Sequence, residues 1–166
     1  MARSGLEERA RRVRLLILDV DGVLTDGRVM YTDQGAELKA FDVKDGHGVK
    51  RLLGAGVDVV WLSSRESEAV ARRAKELGVA VALQGVADKL EAYGRLLDER
   101  RIPDEQVAYV GDDLPDLPLL QRVGLALAVA DAVEEVKAVA HYVTRRRGGR
   151  GAVREVCEMI LRARGC

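Results

Sequence analysis

Asp19 and Asp21 stand two residues apart at the end of an apolar run, Leu15-Leu16-Ile17-Leu18, and Gly22 follows them. If strand geometry persists that far, period-two alternation puts both carboxylates on one side of the chain. Gly22 then lets the backbone turn tightly beside a ligand. Two such carboxylates can divide the work of phosphoryl transfer. One attacks phosphorus and forms an acyl phosphate. The other protonates the leaving oxygen and later takes a proton from the hydrolytic water. Carboxylate and phosphate repel each other, and a hard cation held by oxygen ligands removes that obstacle; Mg²⁺ is the usual choice beside phosphate. Asp112, within Gly111-Asp112-Asp113, offers a further carboxylate. Ser63 can donate a hydroxyl hydrogen bond to a phosphate oxygen. Lys89 adds a point charge at a helix start, where the helix N-terminus favours the same anion.

Taken singly these residues have ordinary explanations. A carboxylate pair after a strand is often a turn, a serine there often caps a helix, and a lone lysine is usually solvated. What carries the inference is their order, each at the carboxyl end of a strand.

The elements that position them alternate. An apolar strand is expected over 13–20, a hairpin over 27–43 around Asp33-Gln34-Gly35, a helix over 45–55 and a buried strand over 57–62. Further helices are expected over 66–77, stopped by Gly78, and over 87–100, 114–122, 132–138 and 152–163, with strands over 79–83, 106–110, 125–129 and 141–144. A turn or helix start is expected at Pro103-Asp104-Glu105. Repeated strand–helix units imply right-handed crossovers and a mostly parallel sheet covered by helices: an α/β, Rossmann-like three-layer sandwich. In such sheets ligands bind at the carboxyl ends of the strands.

The 166 residues suffice for one domain with one core, residues 1–166, and Lys plus Arg balance Asp plus Glu at 27 each. That balance gives no sign of a general nucleic-acid or membrane binder. Cys157 and Cys166 have no zinc or redox spacing, and the apolar run after the basic N-terminal stretch is too short for a signal sequence, so a cytoplasmic protein is expected. His47, beside Asp45-Gly46, could touch a ligand; His141 is expected in or near the sheet and Trp61 in the core.

The sequence resembles the haloacid dehalogenase superfamily. Asp19-Val20-Asp21-Gly22-Val23-Leu24-Thr25 is similar to its first motif, Ser63 to its second, Lys89 to its third and Gly111-Asp112-Asp113-Leu114-Pro115-Asp116 to its fourth. More closely it resembles the capless 3-deoxy-D-manno-octulosonate 8-phosphate phosphatase family. That likeness runs through 19–26, 39–48, Leu62-Ser63-Ser64-Arg65, Gln84-Gly85, 108–116, 128–132, Tyr142 to Thr144 and 148–157. The resemblance implies Asp19 as nucleophile and Asp21 as general acid/base, with Mg²⁺ held by Asp19, Asp112 and the Asp21 carbonyl. Asp116 would help through metal-bound water. It also implies that Asp42, Val43, Lys44, Asp45, Gly46, Arg65, Arg73 and Lys89 lie around phosphate or sugar acid, where guanidinium groups suit both anions. Arg73 also fits a solvated helix face. The implied reaction is hydrolysis of the octulosonate 8-phosphate in lipopolysaccharide sugar biosynthesis. Ser64 stands where the family usually has glycine, Asp42 where asparagine is common and Lys50 where arginine is common, departures that bear on the substrate rather than on the chemistry. A phosphatase for a nine-carbon nonulosonate 9-phosphate and a phosphatase-like module without turnover are the alternatives.

The stretch between Asp21 and Ser63 is filled by the hairpin, one helix and one strand, leaving no room for a cap domain of ~50 residues or more. Val29, Tyr31, Leu38 and Phe41 would be costly on a freely exposed flap. The resemblance implies a homotetramer in which hairpins associate and a neighbour's C-terminal segment approaches the site. The C-terminal tail is placed at about 144–166, and Thr144 to Gly151 is its matching segment, with Arg145, Arg146, Arg147 and Arg150 as an anion-binding part, against the alternative of a mobile basic loop.

Overall fold

An unbroken apolar run can be a strand only where both its faces are covered. β1 (Leu15–Leu18) is buried at every residue and lies inside a six-stranded parallel sheet. The computed structural model describes residues 2–166. Across the sheet the strands run β5 (Val81–Leu83), β4 (Asp58–Leu62), β1, β6 (Val107–Gly111), β7 (Leu125–Ala128) and β8 (Tyr142–Val143). Leu18 is level with Trp61 on β4 and Val110 on β6, so the chain leaves these three strands at one edge. The strand order turns back between β1 and β6, which opens a crevice at their carboxyl ends.

Two helical layers cover the sheet. α1 (Ala2–Arg12), α7 (Ala152–Ala163), α2 (Val43–Gly54) and α3 (Glu68–Leu77) pack side by side on one face, and α4 (Lys89–Arg100), α5 (Leu117–Leu120) and α6 (Glu134–Val139) on the other. Gly78 ends α3 in the left-handed conformation, with φ of 80°, as its position after the periodic run requires. The helix expected over 114–122 is broken into a 3₁₀ turn, Leu114–Asp116, and the short α5. Pro115 and Pro118 account for this, since Pro118 has no amide to bond the carbonyl four residues back.

The hairpin is its own two-stranded sheet, β2 (Met30–Tyr31) and β3 (Glu37–Leu38), with Gly35 at φ 82° in the turn. Val29, Met30, Tyr31 and Leu38 are exposed, whereas Phe41, expected among them, turns inward and stacks on Trp61 with ring centroids 6.2 Å apart. Only the hairpin and α2 stand between β1 and β4 among the described residues.

The stretch 144–166 divides into a loop and a helix. Residues 152–163 form α7, and Val153, Val156, Cys157 and Ile160 are fully buried in the core. The loop Thr144 to Gly151 ahead of it is anchored: Gly149 donates to the Val23 carbonyl at 2.9 Å and Gly148 to Asp131 Oδ1 at 2.9 Å. A Cβ on Gly148 or Gly149 would overlap the backbone of Gly22 or Thr25, so glycine is what lets this loop lie on the turn after β1. Among the described residues no helix is long and apolar enough to cross a membrane.

Candidate active site

The crevice between β1 and β6 holds a buried charged cluster. Asp19 leaves β1 with 7 % of its surface exposed. Lys89, the first residue of α4, reaches across to it: Nζ lies 2.9 Å from Asp19 Oδ1 and 2.7 Å from Asp116 Oδ1. Asp88 caps α4 by accepting from the Glu91 amide at 3.0 Å, which fixes where Lys89 enters. Tyr109, fully buried on β6, donates to Asp116 Oδ1 at 2.5 Å. The other Asp116 oxygen accepts from the amides of Asp112 at 2.9 Å and Asp113 at 3.3 Å. Asp116 is therefore saturated with donors. It holds Lys89 and the Gly111-Asp112-Asp113 turn in one geometry. Burial works against the Lys89 charge, but Asp19 and Asp116 outweigh it and raise the pKa, so the ammonium stays charged.

One oxygen from each of Asp19, Asp112 and Asp116 lies within 4.8 Å of the others. Burial, then the charge of Asp116, raises the Asp19 pKa against the pull of Lys89; burial, then Asp19, raises that of Asp112. Both shifts come first from burial and then from crowding, because three carboxylates, two of them buried and Asp112 partly so, share a single ammonium. A divalent cation would supply the missing charge, and an all-oxygen donor set suits Mg²⁺. Gly22 makes room for the Asp112 carboxylate. With φ at 93°, its Cα faces the Asp112 carboxylate so closely that a Cβ would overlap it. Thr25, buried in the same turn, accepts from the amides of Gly22 at 3.3 Å and Gly27 at 3.2 Å.

Asp21 faces the hairpin. Its Oδ1 pairs with Lys39 Nζ, and the Lys39 side chain is only 2 % exposed. Arg65 joins the same rim, donating to Glu37 at 2.9 Å and to the Tyr31 hydroxyl at 3.4 Å. Ser63 is buried at the end of β4 and its Oγ accepts from the Arg65 amide at 3.2 Å, leaving its hydroxyl proton free to point at a ligand.

The structure brings Asp19, Ser63, Lys89 and Asp112 to the same sheet edge, but divides the 42–46 segment. Asp42 caps α2, accepting from the Lys44 amide at 2.6 Å and the Asp45 amide at 3.3 Å. Asp45 uses its carboxylate within the fold. It is 1 % exposed, and its two oxygens accept from Arg154 at 2.8 Å and Gly151 at 3.3 Å, so it caps α7. Burial raises its pKa to about 6. Gly46 is buried where a Cβ would meet the Arg73 guanidinium, which shows that Arg73 folds back toward α2 rather than into solvent. Val43, Lys44 and His47 are exposed, and Lys44 borders a groove shared with Arg145, Arg146 and Arg150. His141 Nδ1 accepts from the Ala126 amide at 2.9 Å, a structural bond at the sheet edge. Tyr109 and the Lys39–Asp21 pair are site features that residue type and spacing did not reveal.

This fold with this carboxylate cluster defines a haloacid dehalogenase-like hydrolase, and the family model of that description matches residues 81–155. The 3-deoxy-D-manno-octulosonate 8-phosphate phosphatase of Yersinia pestis is 51 % identical over 156 residues, covering 94 % of this chain and 83 % of that one. A crystal structure of that phosphatase from Yersinia pestis matches with a TM-score of 0.95 at 49 % identity, over 97 % of this chain and 87 % of the other. The Moraxella catarrhalis phosphatase of the same name, crystallised with magnesium, phosphate and KDO (the free octulosonate), matches with a TM-score of 0.95 at 42 % identity, over 96 % and 92 %. The chain belongs to this phosphatase family.

Proposed function

We propose that this protein is a Mg²⁺-dependent phosphomonoesterase that hydrolyses 3-deoxy-D-manno-octulosonate 8-phosphate to KDO and phosphate. The observation that carries this reading is the placement of Asp19 against Lys89 and beside Asp112, in a chain half identical to phosphatases of that name. Asp19 attacks phosphorus while the ester P–O bond breaks, and Asp21 gives its proton to the departing sugar oxygen. Water then attacks the phosphorus of the aspartyl phosphate, and Asp21 takes the proton that the water loses. Lys89 and the Ser63 hydroxyl neutralise and orient the phosphoryl oxygens. Asp19, Asp112 and the Asp21 carbonyl would hold Mg²⁺, which supplies charge neutralisation at the transferring phosphoryl group.

Lys44, Arg65 and Arg73 are the cations we assign to the sugar acid, alongside the backbone of Asp42, Val43 and Gly46. The exposed apolar residues of the hairpin support a homotetramer in which the flaps pack on one another, and the exposed Arg145 to Arg147 side chains support an anion-binding role for that loop. Free Cys157 and Cys166 suit a reducing cytoplasm. Near-complete coverage at half identity supports the eight-carbon substrate over a nonulosonate 9-phosphate, and the intact charged cluster supports turnover over a scaffold role.

The test is phosphate release from a panel of sugar-acid and simple phosphates, scored by kcat/KM with and without Mg²⁺. The octulosonate 8-phosphate should lead the panel, and Asp19→Asn should lower kcat on the order of 10⁴-fold or more. Preference for simple phosphates would overturn the substrate, and an Asp19→Asn protein as active as the parent would overturn the nucleophile.

A further inference from the structure

Lys39 is a buried cation outside the strand-end cluster. It follows β3 on the returning arm of the hairpin, with Phe41 anchoring the chain two residues later on Trp61. Its side chain is 2 % exposed, and its ammonium meets the carboxylates of Asp21 and, at 3.5 Å, Glu37. Glu37 is in turn held by Arg65 at 2.9 Å. Burial raises the Glu37 pKa, but Arg65, Ser67 and Lys39 outweigh it and hold the carboxyl below its ordinary range, as expected of an acid committed to an ionic network. Two cations therefore balance two carboxylates. An ammonium so enclosed has no free face for a substrate anion, and stripping it of water is repaid only by partners that hold it in place.

The geometry points to Lys39 as a positioning residue that acts through Asp21. An aspartate just beyond a strand end can turn about χ1. Engaging Oδ1 with Lys39 leaves Oδ2 to face the ester oxygen across from Asp19. In the first half-reaction Asp21 first takes up a proton from solvent on Oδ2; that proton passes to the ester oxygen as the P–O bond breaks, and the electron pair left behind returns Asp21 to the carboxylate that Lys39 holds. In the second half-reaction the same oxygen takes a proton from the attacking water. Because Lys39 rides on the hairpin and Glu37–Arg65 ties the hairpin to the loop after β4, flap placement and the aim of the general acid are one mechanical unit. This inference rests on the phosphatase reading above.

Leaving-group chemistry separates this role from the others. A sugar alkoxide needs a proton to depart, whereas 4-nitrophenolate does not, and kcat/KM reports the aspartyl-phosphate-forming step. The purified full chain with saturating Mg²⁺ is assayed with the octulosonate 8-phosphate, arabinose 5-phosphate and 4-nitrophenyl phosphate. Lys39→Met should lower kcat/KM for both sugar phosphates about 10- to 100-fold, and for 4-nitrophenyl phosphate less than about threefold. Lys39→Arg should recover most of the loss. In an Asp21→Asn background Lys39→Met should add almost nothing, because both act on one proton transfer. Equal losses on all three esters would mean a structural anchor and would overturn the inference. A loss confined to the carboxylate-bearing substrate would mean a ligand for that carboxylate and would overturn it too. Should Lys39→Met not fold, Lys39→Gln carries the same comparison. A parent protein that releases no phosphate from any ester would sink the phosphatase reading itself, a result distinct from either of these.

Discussion

The strand-end cluster and the hairpin rim sit on either side of the same reaction but are built in opposite ways. Asp19, Lys89, Tyr109 and Asp116 are buried on rigid elements, each bonded to the next, with every partner in the same chain. The rim stands on a two-stranded flap that exposes Val29, Met30, Tyr31 and Leu38, and its charged network takes in Asp21, two residues along the chain from Asp19. The cluster is enclosed by the fold, while the flap leaves an apolar face uncovered. Bond making thus belongs to the fixed part, and the proposed flap packing and sugar-acid contacts fall on the part that is left exposed.

That contrast can be broken most sharply at Gly22. Gly22→Ala would press a Cβ into Asp112 at a backbone angle that alanine resists. It should raise the Mg²⁺ concentration needed for half-maximal activity on the order of 100-fold, by analogy with the cost of disturbing a metal site's supporting contacts, while thermal unfolding changes little. A metal titration of activity checks it. Tyr109→Phe comes next. It removes one donor from a buried carboxylate that retains three others, and should lower kcat about tenfold with KM nearly unchanged. Steady-state kinetics on the sugar phosphate read that split.

The rim should respond differently. On the homotetramer proposed above, Tyr31→Ser with Leu38→Ser should give a smaller particle in light scattering and raise KM for the sugar phosphate several-fold, while kcat/KM for 4-nitrophenyl phosphate stays within about twofold. Loss of turnover on both esters would mean that the cluster is not complete in one chain.

Asp45 should have the smallest effect on turnover and a clear one on stability. Its pKa is raised from 3.8 to about 6, so the folded state binds its proton more tightly than the unfolded state does. As pH rises across that window the unfolded chain ionises first, and stability falls by on the order of 2–3 kcal/mol, then levels off. Asp45→Asn keeps one acceptor for α7 and removes the titration. Denaturant melts at pH 4 and pH 7 should show the parent losing stability relative to this variant, with no change above about pH 7.

The sheet, its edge and the residues on it were legible because each lies immediately after an apolar run. Asp19, Ser63 and Asp112 need only their own strand to be placed. What sequence could not show depends on distant partners. Tyr109 looks like any strand tyrosine until Asp116 is seen against its hydroxyl. Asp45, beside a plausible ligand loop, spends its carboxylate on α7 more than a hundred residues away. The 152–163 helix was correctly bounded, yet only its packing against α2 shows that it belongs to the core. Lys39 is paired by the fold of the hairpin, not by spacing.

The central claim is that the phosphoryl group passes through the Asp19 carboxylate. Rapid acid quench of the Mg²⁺-loaded enzyme during turnover of the octulosonate 8-phosphate, followed by mass spectrometry of the peptide spanning residues 15–28, tests it most directly. A phosphoryl group on Asp19, formed within one turnover and missing in Asp19→Asn, is the predicted result. Undiminished turnover with that peptide unmodified, or the group found on another side chain, would contradict it.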